Sequence, residues 1–248
     1  MIFKNLTQKY SSLEAWVHDH LIADRALNLH AYILEGGKLI PVLTEKKARR
    51  MLDVGCGGGQ SAIRLKELYP HLVLVGIDLS AEQIARAQDR ARRKGLSIQF
   101  EVADAQCLPF PDESFDIIYS FGSAKHWPDP LKGLGECWRV LKPEGELLVA
   151  DATSDATLEQ VENFYAIAHF PKLFQKPVAT MLHRRMFRPA RSVETYRQIA
   201  AQLQMPADSV SQLPFMPAFL FRTQKPQPDI TFRQPGRSGC FPSGNLKV

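Results

Sequence analysis

Three acidic residues each close an apolar run and open a turn: Asp53 in MLDVGCGGGQ, Asp78 in LVLVGIDLS and Asp104 in FEVADAQCL. A carboxylate at the end of a buried strand costs desolvation energy unless something polar meets it. Four glycines in the five positions after Val54 mark a turn where a ligand can approach the backbone. A dinucleotide would need G-x-G-x-x-G; Gly55 and Gly57 fit, but Gln60 takes the third place. Asp53 would also repel a pyrophosphate, and no G-x-x-x-x-G-K-[ST] loop is present. The spacing therefore favours a ligand with a positive group near the turn and no phosphate there. One further group bears on chemistry: His126 in YSFGSAKHWPDP, a candidate general base.

The elements that must position these residues begin near position 50. RMLDV, LVLVGID, SIQFEVAD, FDIIYSFG and ELLVADA read as five strands. Helices at SAIRLKELY, at the Ser80-capped run ending near Gly95, and at PLKGLGECWRVLK separate strands one to three and four from five. Such alternation implies a parallel sheet wound right-handed with helices on both faces, and ligands bind beyond the carboxyl ends of its strands. Asp53 to Gly59, Asp78, Asp104 and Ser120 to Gly122 stand at those ends. SVETYRQIAAQLQ resumes as a helix capped by Ser192, and DSVSQLPFMPAFLFRT is consistent with a closing hairpin.

The expected organisation is an N-terminal helical segment over 1–40, a main domain over 41–223 and a flexible Pro-rich tail over 224–248. Ser11 and Glu14 have capping-box spacing for the first of these. Residues 155–190 interrupt the alternation and carry Phe164, Tyr165, Phe170, Phe174 and Phe187 with the basic run HRRMFRPAR. A net charge of +5 is too small to demand an acidic partner. The four cysteines are scattered without a C-x-x-C pair, which argues against a zinc site or a disulfide framework. No metal is expected. Neither a signal peptide nor a membrane span is read in the chain, so a cytoplasmic protein without a membrane partner is expected.

DVGCGGG, GIDLS, ADAQCLPFPDESFD and WRVLKPEG occur in that order. On these four motifs residues 40–152 resemble a class I S-adenosylmethionine-dependent methyltransferase, of the subgroup that includes ubiquinone and menaquinone C-methyltransferases. The resemblance implies an α/β fold, a doubly wound, mostly parallel, seven-stranded Rossmann-like sheet, with S-adenosylmethionine as cofactor. It implies that Asp53, Gly55, Cys56 and Gly57 serve the methionine end and Asp78 the ribose hydroxyls. Asp104 and Ala105 would face the adenine, with Leu79 packing on it, and Ser120 at the end of strand four completes the set. Cys56 is also consistent with a small filler.

The acceptor is expected to be a small molecule. The loop after strand four lacks the Asn/Asp-Pro-Pro-aromatic sequence by which relatives of this fold bind a planar nitrogen. His126 is the candidate base and Trp127 either an acceptor contact or a packing residue. The 155–190 insertion is read as a lid after strand five, with core packing as the alternative. Arg184, Arg185, Arg188 and Arg191 would grip an acidic acceptor or form a solvated face. Two other readings stay open: an RNA or protein methyltransferase using the basic 184–191 region, and a catalytically silent S-adenosylmethionine-binding subunit. The atom methylated and the oligomeric state are not legible.

Overall fold

A computed structural model describes residues 43–45, 49–167, 172–214 and 216–227. The expected N-terminal helical segment, and the tail beyond 227, lie outside the described residues.

Seven strands form one sheet in the order β3-β2-β1-β4-β5-β7-β6. They are β1 (Arg50–Val54), β2 (Val73–Asp78), β3 (Gln99–Val102), β4 (Phe115–Phe121), β5 (Leu141–Ala152), β6 (Val210–Gln212) and β7 (Ala218–Gln224). The first five pair in parallel; β7 runs antiparallel to β5 and β6. Helices α1 (Gln60–Leu68), α2 (Ala81–Arg93) and α3 (Pro130–Val140) make the crossovers after β1, β2 and β4. α4 (Leu158–Ile167) and α5 (Lys172–Leu182) follow β5, and α6 (Val193–Gln202) precedes β6. The doubly wound, mostly parallel seven-stranded sheet expected from the sequence is the one observed.

Strand alternation divides the core. Leu52, Val54, Val75, Ile77, Ile118, Leu147 and Val149 pack on one side with Leu134 and Cys137 of α3 and Tyr196 and Ile199 of α6. Met51, Leu74, Ile117, Tyr119, Leu148 and Ala150 pack on the other with Leu65 of α1. Tyr196 stacks on Phe219 at 3.9 Å between centroids, joining α6 to β7. The helix read over 130–142 ends at Val140 instead. Leu141 is already extended (φ −76°, ψ 132°), and Pro143 two residues on cannot extend a helix, so β5 begins directly.

Within the 155–190 insertion, residues 158–167 and 172–187 are helical. Val161, Ala179 and Phe187 are buried together with Ala152 and Ala156, and Phe164, Leu182 and Met186 pack against them. Phe187 and Phe164 thus face a satellite core rather than an open pocket. Phe170, and the side chains of Tyr165 and Phe174, lie outside the described residues.

Candidate active site

β1 and β4 are neighbours, and the chain winds away from them in opposite directions, so their carboxyl ends flank the topological switch point. Asp53 lies there, one residue from the end of β1, and is only 2% exposed. Its Oδ2 is buried without a hydrogen-bond partner among the described residues. Burial first, and the nearby Asp78 carboxylate second, push its pKa from 3.8 to about 7.

The glycine turn is drawn over β2, because the N–H groups of Gly55 and Cys56 both donate to Ile77 O at 2.8 Å. Gly55 has φ +74°, and a Cβ there would collide with Ser123 Oγ of the loop after β4. Gly57 also has positive φ, +51°, yet a Cβ at that position would meet nothing within 4 Å. The backbone at Gly57 therefore faces open space. The Cys56 thiol is buried and held well above its ordinary pKa, by burial first and then by the Asp53 and Asp78 charges. Burial thus favours the neutral thiol over the nucleophilic thiolate.

Asp78 ends β2 half-buried. Its Oδ2 accepts from Gly57 N at 3.0 Å and its Oδ1 from Ser80 N at 2.8 Å, which brings the ends of β1 and β2 together. Each carboxylate oxygen keeps a lone pair for a further donor. Leu79 beside it is 58% exposed, and so is Val102 at 54%, the register partner of Asp78 on β3. Both are large apolar side chains left in water at adjoining strand ends; sequence reading found Leu79 and missed Val102.

Asp104 braces its own turn: Oδ1 accepts from Gln106 N at 2.8 Å. Gln106 in turn accepts from Asp129 N at 2.8 Å, linking this turn to the start of α3. Ala105 packs partly against the core. Ser120 is fully buried, and its hydroxyl donates to Val54 O at 2.8 Å, tying β4 to β1 beneath the switch point. Farther out, the LPFPDE stretch is gripped by α3. Glu136 accepts from Leu108 N at 2.9 Å, and Arg139 donates to Leu108 O, Phe110 O and Asp112.

His126 is exposed on a one-turn 3₁₀ segment, Ala124–His126. Trp127 is buried (6%), and its ring lies where a Cβ on Gly133 would be, so of its two readings packing is what the structure displays. Its indole N–H donates to Ser123 Oγ at 3.0 Å. Beneath this loop Asp151, on β5, accepts from Lys125 N at 2.7 Å and from Lys125 Nζ at 3.1 Å. Lys125 Nζ also donates to Gly122 O at 2.7 Å. The four arginines do not act together. Arg184, Arg185 and Arg188 are exposed, whereas Arg191 turns inward onto the carbonyls of the His126 loop. Among the described residues no group of three or more His, Cys, Asp or Glu gathers to hold a metal, and no helix is long and apolar enough to cross a membrane.

A family model described as a methyltransferase domain matches residues 52–149. The 27-O-demethylrifamycin SV methyltransferase of Amycolatopsis mediterranei is 39% identical over 116 residues, covering 46% of this chain and 42% of that protein. The demethylmenaquinone methyltransferase of Deinococcus radiodurans is 43% identical over 103 residues, 42% of this chain and 43% of that one. The matched stretch thus spans about half the length of these relatives or less. A solved structure described as an S-adenosyl-L-methionine-dependent methyltransferase, from Methanococcus maripaludis, superposes with a TM-score of 0.65 over 90% of this chain and 97% of its own, at 18% identity. That likeness concerns the fold. Motif order, sheet topology and family match coincide on the same residues, and over 52–149 this chain matches a methyltransferase domain.

Proposed function

We propose that the protein transfers a methyl group from S-adenosylmethionine to a small-molecule acceptor through an oxygen, carbon or nitrogen atom. One observation carries the reading: a carboxylate oxygen buried without a partner at Asp53, beside a turn whose Gly57 leaves room for a ligand. An ammonium there offsets a charge that otherwise stands uncompensated. The residues fit the cofactor elsewhere too. The turn 55–57 lets backbone approach the methionine end, Asp78 retains acceptor capacity for ribose hydroxyls, and the exposed Leu79 is the apolar side chain we assign to the adenine. When bound, the cofactor supplies a methyl group on a sulfonium, ready for in-line displacement.

The protein's part is to orient the acceptor and keep water out, which accounts for a large share of catalysis in such displacements. His126 is the group we assign to proton removal where the acceptor is acidic. The acceptors named for the two relatives, 27-O-demethylrifamycin SV and demethylmenaquinone, are small molecules, which supports the same class here. We assign the helices α4 and α5, which follow the carboxyl end of β5, to the acceptor side as a cover.

The test is direct. Incubation with S-adenosylmethionine labelled in its methyl group and a panel of phenols and quinols should transfer label to an extractable product. Calorimetry should show binding of S-adenosylhomocysteine and negligible binding of NAD. Tighter NAD binding would sink the reading.

Asp78→Ala should weaken S-adenosylhomocysteine binding by about 1.5–3 kcal/mol, the scale of hydrogen bonds to a charged group. Circular dichroism should show the fold retained. Unchanged affinity in a folded variant would remove Asp78 from the ribose.

A further inference from the structure

The chain leaves the sheet just after Asp151 and comes back beside the end of β5 at Arg191, and both residues hold the same loop. On the departing side Asp151 accepts from the backbone and the ammonium of Lys125. On the returning side the Arg191 guanidinium donates to Trp127 O at 3.0 Å and Pro128 O at 3.3 Å, with Lys125 O at 3.5 Å. The Arg191 carbonyl accepts from Ser154 N at 3.3 Å, which fixes its own backbone to the end of β5.

The loop needs such support. Its 3₁₀ segment has three residues, and the backbone bonds inside it run from His126 N to Ser123 O and from Trp127 N to Ala124 O. The carbonyls of Lys125, Trp127 and Pro128 converge on one side, and a planar guanidinium answers several carbonyls at once where an ammonium acts as a point charge. From Trp127 the contact continues: its indole N–H reaches Ser123 Oγ, and Ser123 is the side chain packed against Gly55 of the cofactor turn.

We propose that Arg191 is a positioning residue for methyl transfer: from the segment that follows α5 it fixes the backbone that carries His126, so that this segment and the His126 loop are held in one register beside the glycine turn. The inference rests on the methyltransferase reading of this site. It assigns Arg191 to the catalytic scaffold, apart from the exposed Arg184, Arg185 and Arg188.

The chain has three tryptophans, so a background with Trp16→Phe and Trp138→Phe leaves Trp127 as the sole reporter of the loop. In that background Arg191→Ala should shift Trp127 emission to longer wavelength and speed amide exchange over 125–128 by about tenfold or more. Arg191→Lys should fall between Ala and wild type. Arg197→Ala, an exposed site on α6, should match wild type. In the otherwise native chain, Arg191→Ala should keep S-adenosylhomocysteine affinity within about threefold while kcat toward a phenol from the panel falls about tenfold or more, a modest loss for a displaced reacting group. Unchanged Trp127 emission and exchange in Arg191→Ala would overturn the proposal. So would a fall in cofactor affinity as large as the fall in kcat, the mark of general loosening. Should Arg191→Ala not fold, the same readings on Arg191→Lys decide. If wild type methylates nothing in the panel, the activity reading fails separately, and the Trp127 and exchange results still confirm or reject the clamp.

Discussion

Asp53→Asn should stabilise the ligand-free protein at pH 8 while removing most of its affinity for S-adenosylhomocysteine. The carboxyl titrates at about 7 in the fold against an ordinary 3.8, because burial and then Asp78 disfavour its charged form. A raised pKa means that the native state binds the extra proton between those two values. Native stability therefore falls as pH rises from about 4, and the loss is complete above about 7. A shift of about three pKa units corresponds to roughly 4 kcal/mol as an upper scale, so a gain of about 2–4 kcal/mol is expected for the neutral isostere. Below pH 4 the gain should vanish. Binding an ammonium reverses the preference: wild type should release a proton on binding near pH 6–7, and affinity should rise from pH 5.5 to 8. Asn should show neither effect. Thermal melts at pH 4 and 8, with calorimetry in buffers of different ionisation enthalpy, measure both. If Asn destabilises the protein at pH 8, Asp53 is not an uncompensated charge.

Asp151→Ala should act in the opposite direction and cost about 3–5 kcal/mol. Its carboxylate, 1% exposed, is fully engaged by two backbone N–H groups, of Lys125 and Ala152, and by the Lys125 ammonium. Truncating it leaves those donors, and a cation only 16% exposed, without their anion. Removing both charges in Lys125→Met/Asp151→Leu should recover part of the loss, because the buried ammonium is no longer stranded. Urea unfolding of the singles and the double provides the cycle. Additive losses would show that the pair is not coupled.

These two carboxylates also mark how far the sequence could be read. Asp53 was legible because its signal is local: an acid at the end of an apolar run, followed at once by glycines whose backbone must turn. The strands were legible for the same reason, with Arg50–Val54 recovered to the residue. Asp151 was not, since in ELLVADA it reads only as a polar residue at a strand end; its partner lies 26 positions earlier. Arg191 misled composition altogether. A basic run looks like a solvated or ligand-binding face, whereas this guanidinium is directed at carbonyls 64 positions back, and main-chain acceptors leave no trace in residue types. Trp127 was open between ligand contact and packing, because only the placement of Gly133 on α3 decides which surface the indole meets. Asp104 carries the family motif, yet its nearest donor is the local Gln106 N–H.

The two outer strands of the sheet are its shortest: β3 has four residues and β6 three. An outer strand exposes backbone donors and acceptors that another chain can pair with, and the hazard grows with its length and apolarity. β3 places Gln99 and Glu101 on its rim, and β6 leaves Ser211 and Gln212 exposed. The long, apolar strands β4 and β5, with seven and twelve residues, are enclosed by neighbours on both sides. Among the described residues, aggregation by strand addition would thus find short rims, polar except for the exposed Val102 of β3, and partial unfolding that stripped β7 and β6 from β5 would expose the segment most able to seed it.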